Sequence, residues 1–567
     1  MSPMRSQLPS QTRGASAERR CGSTESAGHR VVAGESLRLR LRRVVATLAI
    51  VKQPVVLFSR RILGDQLTPV VAYRKLVAPD ERAAPSFLLE SVEQGGAVGR
   101  YSILGAQPAV EIVARENQVT IVSTSASGES SERREQHPDP LAVSKALQSW
   151  NGIDARGPLP ESFHGGWVGS IGFDSVRWLE PLKLPFSSAP RDDRNLPDLH
   201  LALYRDVVVF DHATKIIWLV CAILPGEHPA AQVESAGEAA LNKLERRLMT
   251  ATVPLEPGTI DLDTQASPHA AESCATTRED FESAVRRAKE YIAAGDAFQV
   301  VLSQRFERES SVDPFDVYRA LRVVNPSPYQ VYLQARGCIL VAASPEILCR
   351  TRGSTVTNRP LAGTRRRGAT PQEDARLERE LLADEKERAE HTMLVDLGRN
   401  DLGRVCEAGS VQVDRCMEIE RFSHVMHISS TITGTLRAGV DGWDALRATL
   451  PVGTVSGAPK VRAIQIIDEL EQLRRGPYAG GVGAMGWNGD LDMAIALRTI
   501  VVPLPTTADA RRPSAGWHYD MQAGAGIVVD SDPAQEYEET RSKAAGLARA
   551  LDLAERAFSA GRKPAQS

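Results

Sequence analysis

Two stretches of this chain set glutamates three residues apart. DEKERAEHTMLVDLGRND holds Glu387 and Glu390; DPAQEYEETRSKA holds Glu536 and Glu539, with Lys543 one turn further on. Positions i and i+3 share a helix face, so each pair presents two carboxylates in one direction. An exposed acidic face is the ordinary explanation of such a pair. Here, however, Glu390 runs straight into the apolar TMLVDLG, which points to a partly buried helix. Glu536 follows QAGAGIVVD, a strand ending in small residues where a ligand can approach the backbone closely. If the two helices converge, their carboxylates form an all-oxygen site. Such ligands suit Mg²⁺, which takes one or two protein carboxylates and leaves room for water and an anion. No H-E-x-x-H motif competes for a metal, and the E-x-x-H from Glu161 to His164 lies in PLPESFHGG, read as loop.

Groups able to hold an anion accompany the acids. LAGT (361–364) and QAGAG (522–526) offer backbone amides beside glycines, and NRPLAGTRRRG adds the run Arg365, Arg366 and Arg367. GTVSGAPK (453–460) leads into a helix start, where free N–H groups favour negative charge. Arg498 stands in an otherwise apolar strand, IALRT, and a charged partner is expected for it. Together these describe a site for a small dianion with a cation covering one acid group. Neither a Walker loop nor a strand–helix G-x-G-x-x-G is present, which disfavours nucleotides.

The elements that must position these groups follow from patterning. At 567 residues the chain exceeds one ordinary core. Its 68 basic and 71 acidic residues leave a net charge of -3, which argues against a nucleic-acid partner. Seven scattered cysteines without C-x-x-C spacing argue against zinc and disulfide frameworks and for a reducing compartment. No apolar run spans a bilayer; VVATLAIVKQPVVLF is cut by Lys52 and Pro54. Residues 1–55 read as a disordered extension or a targeting segment. Short strands fill 56–250, with STSASGESSERREQHPDP (123–140) as a polar insert and a helix over 233–249. Residues 251–277 read as a linker between two lobes, and 278–550 carry the second lobe, before a tail at 551–567. That lobe is expected to hold helices at 280–294, 372–397 and 461–473. Its strands are FQVVLSQRFE, GCILVAASPEIL, GGVGAMGW, DMAIALRTIVV and YDMQAGAGIVVD, with a hairpin loop at 503–516. The fold class is mixed α/β (α+β), with extended sheets packed by helices.

In this order the chain carries GDAFQVVLSQRF, NPSPYQVYL, ASPEIL, RPLAGTRRRG, EHTMLVDLGRNDLGRV, FSHVMH, GTVSGAPKVRA and QAGAGIVVDSDP…EYEETRSKA. The series resembles the chorismate-utilising enzymes, and within them the component I (large subunit) branch of the anthranilate synthases. The likeness covers roughly 56–550, including FLLES, RYSILG and GWVGSIGFD in a weaker N-terminal part. It implies a two-lobed fold in which 56–250 is a regulatory, tryptophan-binding lobe and 278–550 binds chorismate.

What the resemblance implies can be placed residue by residue. Family members that make isochorismate or salicylate carry a lysine base where this chain has Gln299, and a neutral glutamine suits ammonia as nucleophile. The aminodeoxychorismate branch carries a lysine where this chain has Ala362. Glu346 matches the general acid that protonates the departing hydroxyl, and His427 a histidine of the second step; His424 is expected only to pack. Gly363, Thr364, Tyr478, Arg498, Gly524, Ala525 and Gly526 match chorismate-binding positions. Glu390 and Glu539 match the Mg²⁺ ligands, with Glu387 and Glu536 beside them. Ser91 of LLES and Pro328, Tyr329 and Gln330 of NPSPYQ match the tryptophan pocket, although methionine is usual where Gln330 stands.

The implied activity is conversion of chorismate and ammonia to anthranilate and pyruvate, inhibited by tryptophan. None of the seven cysteines sits in a G-x-C-x-G setting, so ammonia is expected from a separate glutamine amidotransferase subunit in a hetero-oligomer. The competing readings are the aminodeoxychorismate branch and a non-catalytic chorismate or tryptophan sensor. The expected location is the cytoplasm, or an organelle if 1–55 is a transit peptide.

Overall fold

The structure is a computed structural model describing residues 53–79, 81, 83–92, 98–125, 128–250, 255–260, 273–422, 425–504 and 516–559. The expectations placed on residues 1–52, on most of 251–277, on His424 and on the tip of the 503–516 loop lie outside these residues.

Two large sheets carry the chain. Among the described residues one has thirteen strands and the other twelve, and their ladders are antiparallel apart from Gln53–Leu63 with Trp150–Arg156. Inner-face residues of both sheets, among them Phe87, Tyr204, Val331, Leu340, Val482, Ala494 and Val501, pack into one apolar layer. The other face of the first sheet is covered by Pro69–Leu76, Val233–Thr250, Pro314–Val324 and Pro533–Ser559. Strands covered on both faces read as near-continuous apolar runs, with little alternation. Among the described residues no helix is long and apolar enough to cross a membrane.

The two halves of the sequence interlock. Strand Ser86–Val92, from before the linker, pairs with Tyr329–Ala335, from after it, and Gly166–Ile171 pairs with Gly481–Gly486. Residues 53 onward form one compact unit. The boundary expected at 251–277 therefore divides the sequence but not the core.

Three local expectations need correction. The polar insert 123–140 contains a strand, Ser130–Gln136, zipped onto Gln118–Thr124 at a sheet edge. Its side chains are exposed and pair as Arg133–Glu135 and Arg134–Glu132, so no apolar period marks it. The helix expected over 372–397 is two, Pro371–Ala383 and Glu385–Gly403, because Asp384 breaks the first and caps the second through Lys386 N and Glu387 N. The runs GCILVAASPEIL and DMAIALRTIVV are each two strands, and this break builds the site.

Candidate active site

Cys338–Ser344 lies in the first sheet and Ile347–Arg352 in the second, while Leu491–Ile495 lies in the second and Thr499–Pro503 in the first. The chain thus crosses between sheets twice, at Pro345–Glu346 and at Ala496–Arg498. The crossings run side by side: Ile495 N donates to Glu346 O at 3.0 Å, Ser344 Oγ to Ile495 O at 2.6 Å and Ala343 N to Arg498 O at 3.1 Å. Arg498 turns the corner in the left-handed region, φ 47°. It is therefore a corner residue, not the mid-strand residue that IALRT suggests.

At one crossing Glu346 is buried, 4 % exposed. Burial pushes its carboxyl up to about 8; the Thr454 hydroxyl and the Leu361 N–H, 3.5 Å from Oε1, pull the other way. It stands as a neutral acid at pH 7. At the other crossing Arg498 meets no carboxylate among the described residues; its one side-chain hydrogen bond there is Nη1 to Asn325 Oδ1 at 3.4 Å. Desolvation lowers its pKa.

Strand Leu361–Arg366 forms a wall beside Glu346, with Leu361 N 3.5 Å from Glu346 Oε1. Its pairing with Val425–Thr435 skips at Gly363, whose φ of 68° only glycine adopts freely. A Cβ there would lie 3.2 Å from Glu387 Oε2. The imidazole of His427 sits over this bulge, with Nδ1 3.1 Å from Gly363 O and 3.0 Å from Thr364 Oγ1. A carbonyl can only accept, so Nδ1 carries the proton and Nε2 keeps a free lone pair. Burial, with the charges of Arg498 and Lys543 nearby, pushes His427 down to about 4, and it is neutral at physiological pH. The triple arginine divides: Arg365 pairs with Asp384 and Glu387, Arg367 pairs with Asp374, and Arg366 is exposed.

The two glutamate pairs do converge. Glu390 Oε1 accepts from Gln299 Nε2 at 2.7 Å, and burial raises the Glu390 pKa, with Glu387 and Glu539 adding repulsion. Glu536 is raised by burial and then by Glu539. Lys543 stands among them: Nζ lies 2.7 Å from Glu539 Oε1 and donates to Gly524 O at 2.9 Å. The Gln299–Ser310 and Trp517–Ile527 ladder closes this side. A Cβ on Gly526 would fall 2.5 Å from Gln299 Nε2, and one on Gly524 3.0 Å from the Tyr478 hydroxyl. Ala525, between them, pairs with Leu302 and faces the core. Lys543 was missed as a site residue; its spacing of four from Glu539 was the available signal.

The four glutamates lie close without closing into one shell. Among the described residues, the tight donor group is Glu307, His518 and Asp520 on the far part of the same ladder. There Arg194 and Arg305 neutralise Asp520 and Glu307, which makes an ion-pair network.

The expected tryptophan residues are also brought together. Gln330 faces Glu90 across the paired strands, and Ser91 adjoins it. Glu90 is held by Tyr318, Arg322 and Ser102. The Tyr329 hydroxyl donates to Asp492 at 2.7 Å and accepts from Arg350 at 2.8 Å. Gln330 is buried, with Nε2 on Asn325 O at 3.1 Å and Oε1 unpaired; Pro328 is partly exposed beside it.

The two-sheet fold that carries this site has known counterparts. The chorismate binding enzyme family matches residues 84–549, and the chain belongs to that family. Its relatives include anthranilate synthases. The anthranilate synthase alpha subunit 1, chloroplastic, of Oryza sativa subsp. indica is 55% identical over 515 residues, 88% of each chain. The anthranilate synthase component 1 of Streptomyces coelicolor is 43% identical over 93% of this chain and 94% of its own. Among solved structures, anthranilate synthase component I from Streptococcus pneumoniae superposes with a TM-score of 0.63 at 35% identity, covering 86% of this chain and 99% of that one. The menaquinone-specific isochorismate synthase of Escherichia coli, 18% identical with a TM-score of 0.61 over 91% and 100%, shares the fold.

Proposed function

We propose that this chain is an anthranilate synthase component I, converting chorismate and ammonia to anthranilate and pyruvate for tryptophan biosynthesis. The observation that carries this reading is the charge layout. Arg498, a guanidinium with no carboxylate partner among the described residues, stands at one end, and four glutamates stand at the other. Chorismate has two carboxylates and a hydroxyl that must leave. Arg498 holds the enolpyruvyl carboxylate by charge-assisted hydrogen bonds. The Gly363–Thr364 bulge, Tyr478 and Gly524–Gly526 enclose the ring.

The ring carboxylate then faces the glutamates, and this end needs a cation. The donor set fits Mg²⁺: it is all carboxylate, two of its members are pushed up by burial and mutual repulsion, and Lys543 offsets only part of the charge. Glu390 and Glu539 would hold the ion, with Glu387 and Glu536 beside them. When bound, it screens the glutamates from the anionic substrate.

Glu346 carries its proton at pH 7 and gives it to the departing hydroxyl, which leaves as water. Ammonia adds to the ring and needs no base, so a neutral Gln299 suffices. The Gln299 Oε1 is buried and unpaired, an acceptor for an N–H of the nucleophile. Ala362, small and buried in the wall, leaves room where an amine would otherwise attack. His427, neutral with Nε2 free, serves the second step, loss of pyruvate. Ammonia comes from a glutamine amidotransferase subunit in a hetero-oligomer, and tryptophan binds at Ser91 and Pro328–Gln330. The chain acts in the cytoplasm, or in an organelle if residues 1–55 direct import, as a fusion of those residues to a fluorescent protein would reveal.

The deciding assay mixes the purified chain with chorismate, Mg²⁺ and an ammonium salt at alkaline pH. Blue anthranilate fluorescence is expected without any partner, and its absence would overturn the reading.

A further inference from the structure

Arg498 is long, charged and set on a left-handed corner, yet a single side-chain hydrogen bond orients it among the described residues. The acceptor is Asn325 Oδ1, at 3.4 Å. Asn325 is itself well fixed. It caps the C-terminus of helix Pro314–Val324, with its N–H on Leu321 O. Its carbonyl accepts from the buried Gln330 amide at 3.1 Å. Beneath it the helix is locked by Phe315, Val317, Tyr318 and Leu321, all fully buried. The Asn325 backbone is therefore fixed, and its short side chain reaches from that anchored point to a guanidinium that would otherwise sample many rotamers.

The chemistry of that side chain matters as much as its anchoring. An amide oxygen can accept from a guanidinium without cancelling its charge. A carboxylate in its place would form an ion pair and compete with the substrate. We propose that Asn325 is a positioning residue for the reaction: it aims the Arg498 guanidinium at the substrate's carboxylate while leaving its charge unspent. This rests on the reading of Arg498 as the carboxylate holder.

The test is steady-state kinetics with ammonia at saturation, on Asn325→Ala, Asn325→Asp and Arg498→Ala, with thermal midpoints measured alongside. Asn325→Ala is expected to raise the chorismate KM about tenfold, with kcat within about threefold, since only ground-state orientation is lost. Asn325→Asp has the same size and keeps the hydrogen bond, yet should raise KM further, roughly thirtyfold, because it neutralises Arg498. A merely structural role predicts the opposite order, with the isosteric Asp milder than Ala, and that order would overturn the proposal. An unchanged KM in both variants would do the same. If Asn325→Ala folds poorly, the Asp variant alone decides, because an unmoved KM there leaves no charge effect. Arg498→Ala separates the two readings: an unmoved KM in that variant refutes the carboxylate-holding role itself, whatever the Asn325 variants do.

Discussion

Glu346→Gln isolates the proton that the first step requires. The amide has the shape of a protonated carboxyl and can fill the same niche at the crossing, but it has no acidic proton to give. General acids of this kind contribute about 10² to 10⁴ in rate, so kcat should fall by at least about a hundredfold with little change in KM. The same substitution has a stability signature. Wild-type Glu346 keeps its proton up to about 8 when folded, whereas the unfolded chain loses it near the ordinary glutamate value of about 4.3. Between those values the folded state binds more protons than the unfolded state, so wild-type stability falls as pH rises and flattens above 8. At pH 7 the cost is about 3 kcal/mol by that linkage. Gln bears none of it. The variant should therefore match wild type near pH 4.5 and exceed it by a few kcal/mol at pH 8, read from urea midpoints across that range. With free ammonia held constant, wild-type activity should also decline above about pH 8, as Glu346 ionises. His427, pushed down to about 4, should impose no limb between pH 6 and 8. A Gln variant that keeps more than a tenth of the wild-type rate, or a stability gap that does not widen with pH, would refute the assignment of a protonated Glu346.

Three further outcomes follow from named contacts. Gly363→Ala places a Cβ 3.2 Å from Glu387 Oε2 at a φ of 68°; it should cost about 1–2 kcal/mol in urea unfolding and weaken Mg²⁺ activation, and an unaltered Mg²⁺ dependence would show that Glu387 lies outside the metal's reach. Lys543→Met removes the one cation paired with Glu539 among the described residues; the variant should lose about 0.5 kcal/mol of stability in EDTA and regain it in millimolar Mg²⁺, whereas a loss indifferent to Mg²⁺ would detach Lys543 from the metal site. Gln330→Met removes a buried, unpaired Oε1 and should strengthen tryptophan inhibition roughly threefold or more, measured as the half-inhibitory concentration; parent activity that ignores millimolar tryptophan would rule out a working pocket there.

How much of this was legible in the sequence depended on what each residue's neighbours revealed. The glutamate pairs were readable because helical spacing fixes a face, and an acidic face running into TMLVDLG announces burial. Lys543 carried the same kind of signal, a spacing of four from Glu539, but that spacing is also the one of an ordinary surface pair. The edge strand Ser130–Gln136 escaped because both its faces meet water, leaving no apolar period to read. The sheet crossings escaped for the opposite reason: both faces are covered, so GCILVAASPEIL and DMAIALRTIVV read as unbroken strands. Yet each run holds one charge after a stretch of apolar residues, Glu346 in the first and Arg498 in the second. A charge there is tolerable only where the chain leaves one sheet for the other and the side chain faces a gap instead of a packed layer. The two crossings are adjacent, because Ala343 N donates to Arg498 O and Ile495 N to Glu346 O. The fold thus sets the backbone turns that carry its acid and its guanidinium beside one another, at the place where its two sheets exchange strands. The four glutamates and His427 are then brought to that place by the helices and the bulged strand that flank it.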